Sequence, residues 1–147
     1  SRSGGSTPYA PLPRFSSCSS SAVTGLPTAV LKQHDSTDAQ IAAQIQNLGT
    51  VGGNTDGLVT DAKGYLYITD VTHNGIVRYD PKTRKMLLIA ANEAIKWPDT
   101  PAIRPDGDLI FTSSSLNDHF AGMVKPGHER YDLWRLRQDT NPPMNTR

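Results

Sequence analysis

Two aspartates with similar neighbours could carry chemistry in this sequence. Asp56 lies in "NTDGL" and Asp99 in "WPDTP", 43 residues apart. Each precedes a run of β-type residues, so we expect both carboxylates at the same end of neighbouring strands. Oxygen ligands of this kind suit Ca²⁺ or Mg²⁺. Aspartate is also a favoured turn residue, because its side chain hydrogen-bonds its own backbone two residues on. A turn role and a ligand role are therefore both open.

Trp97 stands two residues before Asp99 and is the aromatic residue nearest to either aspartate. Its large ring could cap a channel or wedge between packed sheets, and packing is the commoner role of such rings. Asp56, Asp99 and Trp97 are the predicted ligand or channel residues. Asp56 and Asp99 are also the predicted ligands if the cofactor is Ca²⁺ or another divalent cation, and no catalytic residue is predicted.

Several other kinds of site are disfavoured by the sequence. It has no Gly-rich phosphate loop, no Gly-x-Ser-x-Gly elbow, no Cys-x-x-Cys pair and no basic patch with interleaved aromatic residues. His119 and His128 have a spacing that fits no zinc motif. A net charge of +1 over 147 residues gives no field that would recruit nucleic acid. No run of roughly 18 apolar residues predicts a membrane span.

The elements that must position these residues are mostly strands. The stretch "STDAQIAAQIQNLG" (36–49) predicts one short amphipathic helix, with cap-type residues first, apolar residues at helical spacing and a glycine at its end. From Gly52 onward, brief β-type runs alternate with Asp-Gly, Lys-Gly, Asn-Gly and Asp-Pro turns. The predicted strands are 57–60, 65–70, 75–80, 86–91, 102–105, 108–113 and 131–137.

An internal repeat organises these strands. Residues 55–70, "TDGLVTDAKGYLYITD", align without a gap with residues 98–113, "PDTPAIRPDGDLIFTS", at a shift of 43. The next strands align Arg78 with Arg135 at a shift of 57, so the second unit carries 14 extra residues, which fall in "SSLNDHFAGMVKPGHER" (114–130). A period of roughly 40 to 50 residues with about four short strands is typical of a β-propeller blade.

The predicted fold is therefore all-β, with about two propeller blades near residues 50–95 and 96–137. Residues 1–30 are predicted to be a flexible Ser/Pro/Gly-rich leader. Residues 31–147 are predicted to be a partial propeller, which begins with the short helix and ends in a short tail. A blade is apolar on both faces and must stack on others. A self-contained meander or small sandwich is the alternative.

The stretches "TDGLVTDAKGYLYITDVTHNGIVRYDP" and "IKWPDTPAIRPDGDLIFTSSSLNDHF" resemble the microbial branch of the major royal jelly and yellow protein family. The resemblance covers about residues 38–137, the last blades of a full-length member, and not residues 1–30, which favours a truncated or spliced product. It implies a six-bladed propeller, an extracellular location and small-molecule binding or an accessory role without established catalysis.

More distantly, the same stretches resemble the gluconolactonase and senescence-marker propellers, which hydrolyse lactones with a divalent cation. Asp56 stands where that group has a ligand Asn, and Asp99 stands where it has a ligand Asp. This resemblance makes a cation-dependent lactone hydrolase the first alternative function. The second alternative is a non-autonomous remnant of a longer propeller gene, which would self-associate through open sheet edges.

Overall fold

Short antiparallel strands form the framework of the computed structural model, which describes residues 20–138. The nine strands of this part of the chain are β1 (Ser21–Gly25), β2 (Gln46–Val51), β3 (Leu58–Thr60), β4 (Leu66–Asp70), β5 (Gly75–Asp80), β6 (Lys85–Ala91), β7 (Pro98–Ile103), β8 (Leu109–Ser113) and β9 (Asp132–Leu136). Its helices are α1 (Thr28–Leu31), α2 (Asp38–Ala42) and α3 (Leu116–Phe120). The predicted leader up to residue 19, with Cys18, and the predicted tail from residue 139 lie outside the described residues.

The strands of residues 20–138 form three antiparallel sheets. β1 pairs with β2, which we call the N-terminal pair. The order β3-β4-β5-β6 forms a four-stranded sheet, blade 1, and β7-β8-β9 forms a three-stranded sheet, blade 2. β3 and β7 contact each other, so the first strands of the two blades lie side by side. The prediction of an all-β fold with about two propeller blades is confirmed.

The two blades share one register. β4 and β8 occupy positions that differ by 43 residues. Leu66 of β4 lies opposite Tyr79 of β5. Leu109 of β8 lies opposite Leu136 of β9. The second pairing keeps the shifts of 43 and 57 that the sequence repeat predicts, so the 14 extra residues change the connection and not the pairing.

The turn before the second strand of each blade is also repeated. Gly64 has a φ of 85° and Gly107 a φ of 89°, in the left-handed region that favours glycine. The N–H of Gly64 donates to Asp61 O at 3.0 Å, and the N–H of Gly107 donates to Arg104 O at 2.9 Å. The Lys-Gly and Asp-Gly pairs therefore mark tight turns, as the sequence predicts.

The predicted helix over residues 36–49 is shorter than its pattern suggests. α2 begins with a capping box in which Thr37 and Gln40 satisfy each other's backbone N–H groups. The helix ends at Ala42, and the prediction is wrong beyond that point because Leu48 lies in β2. Leu48 packs against the apolar cluster of the N-terminal pair and blade 1. Tertiary burial overrides the helical spacing.

Residues 21–25 also differ from the sequence expectation, which placed them in the flexible leader. They form β1, whose Val23 lies opposite Gly49 of β2. Val23 is buried against blade 1. The Ser-rich composition of the flanking sequence conceals a short β-type run, "AVT", which becomes a strand only because β2 lies beside it.

Both faces of blade 1 are buried. One face packs on blade 2, and the fully or nearly buried residues of this interface are Tyr67, Ile76, Ile95, Leu109 and Phe111. The other face packs on the N-terminal pair through Val23, Val51, Ile68 and Val77. Burial of one such side chain contributes about 1.5 to 3 kcal/mol. Within residues 20–138 no helix has the length and apolar character needed to cross a membrane.

Candidate functional site at the Asp56 end of the blades

The chain at the start of β3 is held by a buried hydroxyl. Thr69 Oγ1 accepts hydrogen bonds from the backbone N–H groups of Asp56, at 3.0 Å, and Gly57, at 2.9 Å. Thr69 is fully buried, and its own N–H donates to Gly57 O at 3.0 Å. These bonds fix the backbone of Asp56 and leave its side chain exposed. We call this end of both blades the Asp56 end.

Asp99 lies at the corresponding point of blade 2. Its carbonyl accepts a hydrogen bond from Thr112 Oγ1 at 3.2 Å, and Thr112 is the repeat counterpart of Thr69. Asp99 Oδ1 accepts the N–H of Thr100. Thr100 has a φ of 43°, at an irregularity that shifts the register of β7. One carboxylate oxygen of Asp99 therefore serves a local turn.

The two strand starts approach each other closely. A Cβ atom at Gly57 would lie 2.5 Å from Pro101 Cδ, 2.9 Å from Thr100 N and 3.2 Å from Asp99 Oδ1. Only glycine allows this approach without displacing β7. The structure thus brings Asp56 and Asp99 to adjoining first strands, as their spacing predicts, and whether they bind a ligand stays a prediction.

Trp97 connects this end of the blades. Its Nε1–H donates to Asp56 Oδ2 at 2.6 Å, and its ring meets Phe120 of α3 edge to face, with centroids 5.9 Å apart. Trp97 has a φ of 47°, which turns the chain just before β7. The indole is thus a hydrogen-bond donor to Asp56, a contact that the sequence did not predict.

The 14 extra residues of blade 2 fold over the same end. Ser114–Tyr131 joins β8 to β9, whereas only Val71–Asn74 joins β4 to β5. Lys96 Nζ, beside Trp97, forms an ion pair with Asp118 of α3. This contact and the ring of Phe120 anchor the insertion loop next to Trp97. His119 of this loop is exposed.

A buried acid that the sequence patterns did not indicate also lies at this end. Asp70, at the end of β4, is fully buried. Its Oδ1 accepts the backbone N–H of His73 at 3.0 Å, and its Oδ2 lies 2.8 Å from His73 Nδ1. Such a carboxylate fixes the orientation and tautomer of an imidazole. The spacing of three residues between Asp70 and His73, at the tip of a predicted hairpin, is the sequence signal that could have indicated this contact.

A metal centre is not assembled from the described residues alone. Across residues 20–138, no group of three or more His, Cys, Asp or Glu side chains is arranged to hold a metal ion. Ca²⁺ takes about six to eight oxygen ligands. Asp56 and Asp99 would supply carboxylates, but one oxygen of each already accepts an N–H group. The pair therefore fits a divalent cation poorly, and we derive no catalytic step through one.

Displaced pKa values occur at the opposite end of the blades. A hydrogen bond from Arg135, and a second from the N–H of Gln138, hold the pKa of Asp108 below its usual value. The N–H of Lys82 lowers the pKa of Asp80. Burial raises the pKa of Tyr67. The two aspartate shifts follow hydrogen bonds at turns and strand ends, and the tyrosine shift follows burial between the blades.

Comparison with known proteins identifies one family. The family model described as "Major royal jelly protein" matches residues 14–146. The match begins well before the resemblance seen in the sequence, which placed residues 1–30 outside the family; that limit is wrong from residue 14 onward. No curated protein matches the chain.

Proposed function

Because the chain belongs to the major royal jelly protein family, we propose that it is a secreted, royal jelly/yellow-like propeller protein that binds a small molecule at the Asp56 end of its blades. Proteins of this family are typically secreted, which supports an extracellular location. The proposed role is binding or accessory and includes no catalytic step.

The observation that carries the binding role is the hydrogen bond from Trp97 Nε1 to Asp56 Oδ2. It joins an indole to an exposed carboxylate beside the first strand of blade 2, where Asp99 adds a second carboxylate. Two carboxylates beside an indole edge are complementary in charge to an organic cation, whose apolar part can contact the ring. The ligand class proposed for this end is therefore an aromatic or alkyl ammonium ion.

Benzylamine, which is cationic at neutral pH, tests this proposal, with benzyl alcohol as its neutral counterpart. The indole N–H resonance of Trp97, assigned by its loss in Trp97→Phe, should shift saturably with benzylamine and not with benzyl alcohol. Asp56→Asn should weaken binding about tenfold, the loss of one charge-assisted contact. Asp132→Asn, which removes a partly exposed carboxylate paired with Arg130, is the matched control. Equal affinity in Asp56→Asn and wild type would refute the proposal.

The cation-dependent lactone hydrolase is the first alternative, and Asp56 and Asp99 on adjoining strands favour it. Glucono-δ-lactone hydrolysis measured with Ca²⁺, with EDTA, and after Asp99→Ala separates the two functions. The binding role predicts no activity above the uncatalysed rate, and chelator-sensitive hydrolysis lost in Asp99→Ala would establish the alternative.

The second alternative is a chain that does not act on its own. Large apolar side chains are exposed at Phe120, Met123 and Tyr131 of the insertion loop and at Leu133 of β9. Open sheet edges can also pair with other chains. Sedimentation at several concentrations measures this directly. A monomer that unfolds cooperatively in urea would contradict it, and concentration-dependent association would support it.

A further inference from the structure

Both blades carry an arginine at the same position of their third strand. Arg78 of β5 lies opposite Tyr67 of β4. Arg135 of β9 lies opposite Ile110 of β8. Since Tyr67 and Ile110 are themselves 43 residues apart in the repeat, the two guanidinium groups start from equivalent backbone positions. Any difference in their partners therefore comes from the side chains around them.

In blade 2 the arginine has built-in carboxylate partners. Arg135 Nε donates to Asp108 Oδ2 at 2.6 Å, and Arg135 Nη2 lies 3.3 Å from Asp106 Oδ2. Asp108 is largely buried. The Nε–H of this arginine thus has an anionic acceptor inside its own blade.

In blade 1 these carboxylates are replaced. The repeat aligns Asp108 with Tyr65 and Asp106 with Lys63. The guanidinium of Arg78 lies over the ring of Tyr65, with Cζ 4.8 Å from the ring centroid. A ring face attracts a cation but accepts no strong hydrogen bond from Nε–H. Within residues 20–138, Arg78 Nε is buried and has no hydrogen-bond partner.

A pocket of about 270 Å³ is lined by Arg78 and lies between the blades, at the end opposite to Asp56. Its wall includes two further cations, Lys63 and Arg104, and one carboxylate, Asp61. Arg104 is paired with Asp106, its Nε lying 3.2 Å from Asp106 Oδ2, so Lys63 and Arg78 supply the excess charge. The oxygens of Asp61 are already used: Oδ1 accepts the N–H groups of Lys63 and Tyr65, and Oδ2 lies 3.2 Å from Tyr67 Oη. The pocket wall thus carries excess positive charge, and one of its lining residues, Arg78, has an unused donor in its buried Nε–H.

We propose that this pocket, the Arg78 pocket, binds a small carboxylate that accepts the Nε–H of Arg78. The ligand would do in blade 1 what Asp108 does in blade 2. A carboxylate is favoured over phosphate because the equivalent arginine of blade 2, Arg135, is satisfied by carboxylates; the guanidinium fork itself matches either anion. Tyr65 and Ile103 also line the pocket, so an aromatic body on the carboxylate suits it. The inference is independent of the cation site proposed at the Asp56 end.

The test titrates the 147-residue chain with sodium benzoate at low ionic strength, with benzamide as the neutral isostere and inorganic phosphate as a competing anion. The side-chain Nε–H resonance of Arg78, assigned by its loss in Arg78→Lys, should shift saturably with benzoate and stay in place with benzamide. Calorimetry should show at least a tenfold weaker affinity in Arg78→Lys, since a hydrogen bond to a charged group is lost.

Tyr65→Asp gives the sharpest variant, because it supplies Arg78 with the carboxylate that Arg135 already has. It should weaken benzoate binding at least tenfold while the circular dichroism spectrum is retained. Arg135→Lys is the matched control and should leave the benzoate affinity within twofold. Benzylamine binding at the Asp56 end should be unchanged in Tyr65→Asp, which separates this site from the proposed function.

Three results would overturn the inference. The wild-type chain could give no saturable shift of the Arg78 resonance with benzoate. Tyr65→Asp could bind benzoate as tightly as the wild type, which would place the carboxylate elsewhere. Phosphate could bind this pocket as tightly as benzoate, which would mean general anion attraction and not recognition of a carboxylate.

Discussion

At the end of its second strand, blade 1 buries a carboxylate, Asp70, where blade 2 buries a hydroxyl, Ser113. Asp70 accepts the N–H of His73 and contacts its ring. Ser113 Oγ accepts the indole N–H of Trp134 at 2.8 Å. At the opposite end the carboxylate is in blade 2. There Asp108 pairs with Arg135, whereas in blade 1 the equivalent Arg78 lies over the ring of Tyr65. The repeat therefore places a polar side chain at both of these positions in each blade, but the charge of that side chain differs between the blades.

The largest expected effect is a difference in unfolding free energy between variants of the two buried acceptors, Asp70 and Ser113. Asp70→Ala should lower the free energy of unfolding by about 3 kcal/mol, because the half-buried His73 loses a buried carboxylate acceptor for its backbone N–H and its ring. Ser113→Ala should cost about 1 kcal/mol, the usual contribution of a neutral hydrogen bond. Urea unfolding followed by circular dichroism measures both. Equal losses would mean that the charge of Asp70 contributes nothing beyond its hydrogen bonds.

A smaller effect concerns the ion pair of blade 2 and depends on pH. A hydrogen bond from Arg135 lowers the pKa of Asp108 in the folded chain. The ionised carboxylate therefore stabilises the fold above the ordinary aspartate pKa. This contribution is lost as the pH falls through the lower pKa of the folded chain. Asp108→Asn should be less stable than wild type at pH 7, and the two should converge in acid. Unfolding midpoints measured from pH 7 to pH 2 test this. Parallel curves would contradict it.

The smallest effect concerns Tyr67, whose blade 2 counterpart, Ile110, has no hydroxyl. Tyr67→Phe should cost about 0.5 kcal/mol, because its hydroxyl loses a long hydrogen bond, 3.2 Å, to the half-buried carboxylate of Asp61. Burial raises the pKa of Tyr67 in the folded chain. Stabilisation from the neutral phenol is therefore present below the ordinary tyrosine pKa and is lost as pH rises through the folded value. Urea unfolding at pH 7 and pH 11 should show the difference between wild type and Tyr67→Phe shrinking in alkali.

The blades were predictable because their signals are local and occur twice. Turn pairs such as Lys63-Gly64 and Asp106-Gly107 fix the ends of strands, and alternating side chains between them fix the faces. The alignment of the two units then supplies the register. β1 and the end of α2 were not predictable in this way, because both depend on β2 lying beside a partner distant in sequence.

The candidate site was predictable in position but not in contacts. The repeat puts Asp56 and Asp99 at the same end, which is where they lie. The hydrogen bond from Trp97 to Asp56 requires a left-handed φ at a tryptophan, and bulky residues rarely adopt that conformation. The unpartnered Nε of Arg78 becomes meaningful only once Tyr65 is known to occupy the place of Asp108.

The insertion loop between β8 and β9 also has a use in protein engineering. β8 and β9 keep the pairing of β4 and β5 although the connection is 14 residues longer, so loop length and strand register are uncoupled. Lengthening such a connection from 4 to 18 residues costs about 1 kcal/mol of closure entropy. The exposed part after Phe120, residues 121–130, is therefore a graft point for an epitope or a fluorescent tag, and α3 would hold the graft beside Trp97.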